Sequence, residues 1–132
     1  MTPGKITGFS GFILTWTLSI NDMKSYVVDS LNHKDISSVK EVLIKRFGTP
    51  FMDEIFQVTI DSSVLSSEQK RHSECSPHYV ALSLENDRLT AETLIRSKKT
   101  MRCSCMGYAD SRQILWLIDL VNDILEEAEV RI

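Results

Sequence analysis

The chain has 132 residues, a formal charge of -3 at pH 7, and a balance of 42% hydrophobic to 25% charged residues. That length and balance suit one soluble globular domain (1-132) with a buried core, and they exclude collagen-like, low-complexity and highly charged disordered chains. The mild acidity gives no reason to expect nucleic acid as a partner, and no run approaches the roughly 18 apolar residues of a membrane span.

The first patterned stretch is "FILTWTLSI", where Phe12, Leu14, Trp16, Leu18 and Ile20 alternate with Ile13, Thr15, Thr17 and Ser19. Period-two alternation rich in strand formers predicts a strand with one buried face. Lys5 before this apolar-leaning stretch imitates a signal sequence, but the regular Thr and Ser interruptions and the missing small-residue cleavage pattern favour folded structure. Asn21 and Asp22 then offer N-cap oxygens ahead of Met23, Tyr26, Val27 and Leu31 at helical spacing, so a short helix is expected. A return strand through "SYVVDSL" is the alternative.

After a polar break at 32–35, Ser38 and Glu41 read as a capping box, and Val39, Val42, Leu43 and Phe47 trace a helical face. Gly48 and Pro50 end that helix. "EIFQVTID" alternates Phe56, Val58 and Ile60 against polar neighbours and predicts another strand. The segment at about 62-78, "SSVLSSEQKRHSECSPH", is polar and long, and reads as a flexible loop adding little to the core. Its Ser62, Ser63, Ser66 and Ser67 beside Glu68 would suit regulatory phosphorylation.

A three-stranded meander is expected next. A two-residue turn at Asn86 and Asp87 sets Leu84 opposite Leu89, Leu82 opposite Ala91 and Val80 opposite Thr93. A second turn at Ser97, Lys98 and Lys99 sets Ile95 opposite Met101 and Thr93 opposite Cys103. Asp110 and Gln113 then cap a long amphipathic helix whose stripe of Ile114, Leu117, Ile118, Val121, Ile124, Leu125 and Ala128 would cover the sheet. The fold class is α+β: strand, one or two helices, strand, three-stranded antiparallel meander and C-terminal helix.

Three cysteines, Cys75, Cys103 and Cys105, are an odd count without a disulfide framework, which favours a reducing intracellular, cytoplasmic setting. His72, Cys75 and His78 with Cys103 and Cys105 are the residue types that ligate zinc. Yet His-x2-Cys-x2-His is not a familiar ligand spacing, and Cys103 and Cys105 fit the buried face of a strand as small hydrophobes. The sequence reading therefore assigns no metal site, no cofactor and no catalytic residue. No nucleotide-binding glycine loop, GxSxG elbow or HExxH pair occurs, and no motif ties the chain to a known family.

Two surfaces stand out. Trp116 falls opposite the apolar stripe, among Arg112, Asp119, Leu120, Asp123 and Glu127, as aromatic interface anchors do; cover by Phe9, Phe12 or the long loop is the competing explanation. Arg96, Lys98, Lys99 and Arg102 concentrate positive charge on one hairpin, suited to an anionic ligand or acidic phospholipid, or simply a charged strand edge. The leading expectation is a non-enzymatic protein-interaction module, adaptor or chaperone-like. It would use the outer helix face (Trp116, Leu120, Arg112, Asp123, Glu127) to bind another protein or a second copy of itself as a homodimer. Anion binding at the hairpin is the alternative, and a small metal- or thiol-dependent enzyme a further one.

Overall fold

The computed structural model describes residues 24–52 and 54–131. The strand expected over Phe12 to Ile20, and the capping oxygens of Asn21 and Asp22, lie outside them. The described elements run β1 (Ser25–Val28), α1 (His33–Phe47), β2 (Ile55–Thr59), a 3₁₀ turn (Ser62–Val64), α2 (Ser67–Arg71), a second 3₁₀ turn (Ser73–Cys75), β3 (His78–Leu84), β4 (Leu89–Glu92), β5 (Leu94–Ser97), β6 (Gly107–Tyr108) and α3 (Ser111–Glu127). Within the segment expected to be helix or strand, the described residues form a strand at Ser25–Val28: β1 pairs antiparallel with β4, Val28 opposite Leu89.

The α1 helix starts six residues earlier than the Ser38 capping box implies. Asn32 is the N-cap, its side-chain oxygen accepting the Asp35 N–H at 2.8 Å while the Asp35 carboxylate accepts the Asn32 N–H at 3.3 Å. The polar break at 32–35 is thus the cap itself, because short polar side chains satisfy the orphan amides of a first turn. Gly48 ends the helix at φ 85°, a conformation cheap for glycine.

The antiparallel sheet is built on β3, which pairs along its length with β2, Val58 opposite Val80 and Phe56 opposite Leu82. Its other side pairs with β4 near Leu84 and with β5 near His78. The Asn86–Asp87 hairpin has the expected register, Leu84 opposite Leu89 and Leu82 opposite Ala91, closed by the Glu85 N–H to Arg88 carbonyl bond at 2.9 Å. Beyond Ala91 the register slips. While β3 runs from Leu82 to Tyr79, its neighbour runs from Ala91 to Arg96, so a bulge at Thr93 replaces the expected Val80–Thr93 pair. The Thr93 N–H donates to the Lys24 carbonyl at 3.1 Å and the Thr93 carbonyl accepts from Ala109 at 2.8 Å, and the two residues inserted between the pairings bend the strand as bulges do.

The third meander strand is β6. It sets Leu94 opposite Tyr108 and Ile95 opposite Gly107, not Ile95 opposite Met101 or Thr93 opposite Cys103. Met101 is 93% exposed, and the chain between Ser97 and Gly107 forms a loop instead of a tight hairpin. Its turn at Ser104 and Cys105 has partners elsewhere, described below.

One core joins the pieces. Phe56, Val58, Val80, Leu82, Leu84, Leu89, Ala91 and Ile95 on one sheet face meet Val39, Val42 and Leu43 of α1 and Ile114, Leu117, Val121, Ile124 and Leu125 of α3. The α3 stripe is buried as its spacing predicts, with Ile118 and Ala128 half-buried at its margin. The helix starts with the Asp110–Gln113 capping box, both reciprocal bonds present. Removing these side chains from water is the dominant stabilising term, at about 25 cal/mol per Å² of apolar surface.

Candidate metal centre

Two stretches with little hydrocarbon converge at the β5–β6 end of the sheet. The first follows β2. Ser66 caps α2 through its hydroxyl, which accepts the Gln69 N–H at 3.2 Å, and Gln69 returns the bond by accepting the Ser66 N–H at 2.9 Å. The helix ends at His72, and the Cys75 N–H donates to the His72 carbonyl at 2.9 Å. Side chains three apart in such a tight turn eclipse, so His72 and Cys75 face the same way.

The second stretch is the loop between β5 and β6. The Ser97 hydroxyl accepts N–H bonds from Lys99 at 2.9 Å and Thr100 at 3.2 Å, and it donates to the Cys75 carbonyl across the gap. A turn closed by the Met106 N–H to Cys103 carbonyl bond at 3.1 Å aims Cys103 and Cys105 back at the first stretch. The Ser104 hydroxyl donates to the Glu68 carboxylate.

A relay of buried amides fixes the two stretches in register. Gln69 Nε2 donates to the Cys105 carbonyl at 3.1 Å, and Gln113 Nε2 donates to Gln69 Oε1 at 3.0 Å and to the Val64 carbonyl at 2.9 Å. Both glutamines are buried. Each amide therefore needs its partners, since an unmade buried hydrogen bond costs more than a made one gains.

The outcome is a cluster. The ligand atoms of His72, Cys75, Cys103 and Cys105 all lie within 4.8 Å of one another, with His72 Nδ1 3.0 Å from Cys103 Sγ. Zinc–sulfur bonds of about 2.3 Å and a zinc–nitrogen bond near 2.0 Å make tetrahedral edges of about 3.5–3.8 Å, so small rotamer adjustments bring the four onto one ion. His78 is outside the set but touches it: its Nε2 lies 3.2 Å from Cys105 Sγ, while its buried Nδ1 has no hydrogen-bond partner. A neutral ring with its proton on Nε2 points N–H at the sulfur and leaves only an acceptor unmet. Such a donor orients and tempers a ligating thiolate.

The electrostatics match three sulfurs sharing a confined space. The Cys105 backbone N–H, helped by the Cys105 thiol, pulls the Cys103 thiol down to about 7. Burial, reinforced by the Cys103 and Cys75 thiols, pushes Cys105 up to about 12, and burial raises Cys75. Burial, then the neighbouring His72 ring, lowers His78. One thiolate forms readily and opposes the next, a conflict that a bound divalent cation removes.

The other predicted residues are dispersed. Arg96 and Arg102 line a cleft of about 530 Å³ with Tyr79, Leu94, Met101 and Met106. Arg96 bonds Glu92 at 3.2 Å, Lys98 stands 5.8 Å from the Tyr79 ring, and Lys99 is exposed. On α3, the Arg112 guanidinium donates to the carbonyls of Ser63, Val64 and Leu65 at 3.1–3.3 Å. Glu127 accepts from Arg46 at 2.7 Å and from Lys45 at 3.3 Å, cations that hold its carboxyl below the usual range. Trp116 and Leu120 are half-buried against the core, Asp123 is exposed, and Leu115 beside them is 57% exposed. No protein-family model matches this chain, and neither a curated protein nor a solved structure does.

Gln69, buried at the join, is not among the residues the sequence points to, although the Ser66-x-x-Gln69 capping box is a signal for it. Replacing Gln69 with Leu keeps the volume but strands the Cys105 carbonyl, the Ser66 N–H and one Gln113 donor. At about 1–3 kcal/mol per unmet buried group, urea unfolding should show a loss of at least about 2 kcal/mol. A loss below about 0.5 kcal/mol, the range of ordinary surface changes, would contradict this role.

Proposed function

We propose that the protein is a non-enzymatic binding module ordered by one structural zinc ion held by His72, Cys75, Cys103 and Cys105. The observation that carries this reading is the convergence of three sulfurs and one imidazole from two separate loops within 4.8 Å. Three thiolates and an imidazole form a soft donor set that suits zinc, and four protein ligands close a tetrahedral shell with no position for water or substrate. Zinc sites that do chemistry keep that position open, which supports a structural role.

The ion would do for the two loops what hydrocarbon does for the rest. Residues 62–77 and 98–106 then present fixed surfaces at the β5–β6 end of the sheet. For the partner, we favour another protein or a second copy of this chain at the outer side of α3. There the exposed Leu115 stands beside the half-buried Trp116 and Leu120, with Asp123 exposed nearby. Arg112 and Glu127 at the ends of that strip hold neighbouring segments of the chain, so they frame the surface and the middle makes the contact.

Protein purified without an affinity tag should carry about one zinc per chain by elemental analysis, and Cys103→Ser and His72→Ala should carry much less. Zinc at a hundredfold its dissociation constant adds about 2.7 kcal/mol to stability, so a strong chelator should lower the melting temperature by roughly 10 °C at this chain length. A metal-free wild type whose melting ignores both zinc and chelator would contradict the metal reading. For the helix surface, light scattering over a dilution series should show self-association that Trp116→Ala weakens by at least tenfold in Kd, about 1.4 kcal/mol. A strict monomer at every concentration would remove the homodimer version.

A further inference from the structure

Resting on the zinc reading above, we propose that the centre is a peroxide-sensitive modification site in which Cys103 is the attacked thiolate and Cys75 resolves it as a disulfide, releasing the metal. Three features of the cluster's geometry carry this assignment.

The three sulfurs differ in access. Cys75 and Cys105 are 5% and 3% exposed, whereas Cys103 is half-buried and forms part of the wall of the 530 Å³ cleft. A small hydroperoxide entering the cleft reaches Cys103 first. Arg96 and Arg102 also line the cleft, with the Arg96 guanidinium paired to Glu92 at 3.2 Å, and a cation beside a cysteine favours thiolate attack and the departure of hydroxide.

The partner follows from what holds each remaining sulfur. Cys105 is anchored twice, by His78 Nε2 at 3.2 Å from its sulfur and by Gln69 on its carbonyl at 3.1 Å. It also shares one tight turn with Cys103, so a Cys103–Cys105 bridge would have to fit its dihedral to a single short ring of backbone. Cys75 comes from the other loop, and its sulfur lies within 4.8 Å of Cys103. Two separate strands of chain can meet disulfide geometry independently.

The step balances. The zinc-bound Cys103 thiolate attacks the peroxide, the O–O bond breaks, hydroxide leaves, and the sulfur becomes a sulfenic acid, oxidised by two electrons while the peroxide is reduced. The Cys75 thiolate then attacks that sulfur, the S–O bond breaks, a second hydroxide leaves, and the disulfide forms. Both hydroxides take protons from solvent to become water. Only His72 and Cys105 remain as ligands, too few to retain zinc, and the Cys105 sulfur takes up a proton. The new covalent link spans the same two loops, so one cross-link replaces another while the cleft wall at Cys103 is rebuilt. A thiol reductant and zinc reverse the change.

The test uses untagged wild-type protein, assayed for zinc first. About one zinc per chain at the start establishes the metal site; a metal-free starting sample would sink that reading, and this one with it. From the loaded protein, hydrogen peroxide should release the full equivalent of zinc to a chromogenic chelator. The intact mass should fall by two hydrogens, non-reducing peptide mapping should join Cys75 to Cys103, and dithiothreitol with added zinc should restore both mass and metal. Zinc that stays bound under peroxide would overturn the proposal with the metal site intact. So would a Cys103–Cys105 bridge, or release accompanied only by irreversible sulfinic or sulfonic acids.

Discussion

Two polar loops have to stay against the end of a sheet without hydrocarbon to hold them, and the four-ligand cluster meets that constraint. Residues 62–77 add Val64 and Leu65 to the edge of the apolar core and bury Cys75, and residues 98–106 bury Cys105. Hydrogen bonds alone add about 1 kcal/mol each, net, against about 1–2 kcal/mol of backbone entropy for every residue fixed. The zinc ion proposed for the cluster would change that balance, because metal–ligand free energy becomes folding free energy when a site forms only in the folded chain.

Around the cluster, neighbouring contacts work as orienting groups. The Gln113–Gln69 relay sets the Cys105 carbonyl, Ser97 ties the Cys75 carbonyl to the start of the second loop, and His78 aims Nε2 at the Cys105 sulfur. The relay starts at the third residue of α3, whose stripe lies in the core. Core packing thus positions the helix N-terminus, the helix positions the amides, and the amides position the ligands. The bulge at Thr93 belongs to the same chain of causes, because it shifts β5 and carries the chain to where the second loop can reach the first.

Much of this was legible from local pattern. The buried faces of β2 and of the Asn86–Asp87 hairpin, the stop at Gly48 and the capped, amphipathic α3 all follow from spacing over a few residues. Spacing alone does not place the α1 start, because two polar patterns, Asn32–Asp35 and Ser38–Glu41, both resemble caps. The strand expected over Met101 and Cys103 does not form although alternation continues past the turn, because alternation does not reveal that two cysteines have partners about thirty residues upstream. The residue types of the cluster point to zinc, but neither His72-x2-Cys75 nor Cys103-x-Cys105 has a distinctive ligand spacing, and alternation places both cysteines on a strand face instead. Their meaning lies in a long-range meeting set by the bulge and by two buried glutamines, and neither leaves a periodic signal.

The most direct test of this account is zinc K-edge X-ray absorption on the zinc-bearing protein. The account predicts a first shell of three sulfurs at about 2.3 Å and one nitrogen at about 2.0 Å, with one sulfur lost in Cys103→Ser. A shell of nitrogen and oxygen alone, or one unchanged by removing Cys103, would contradict it.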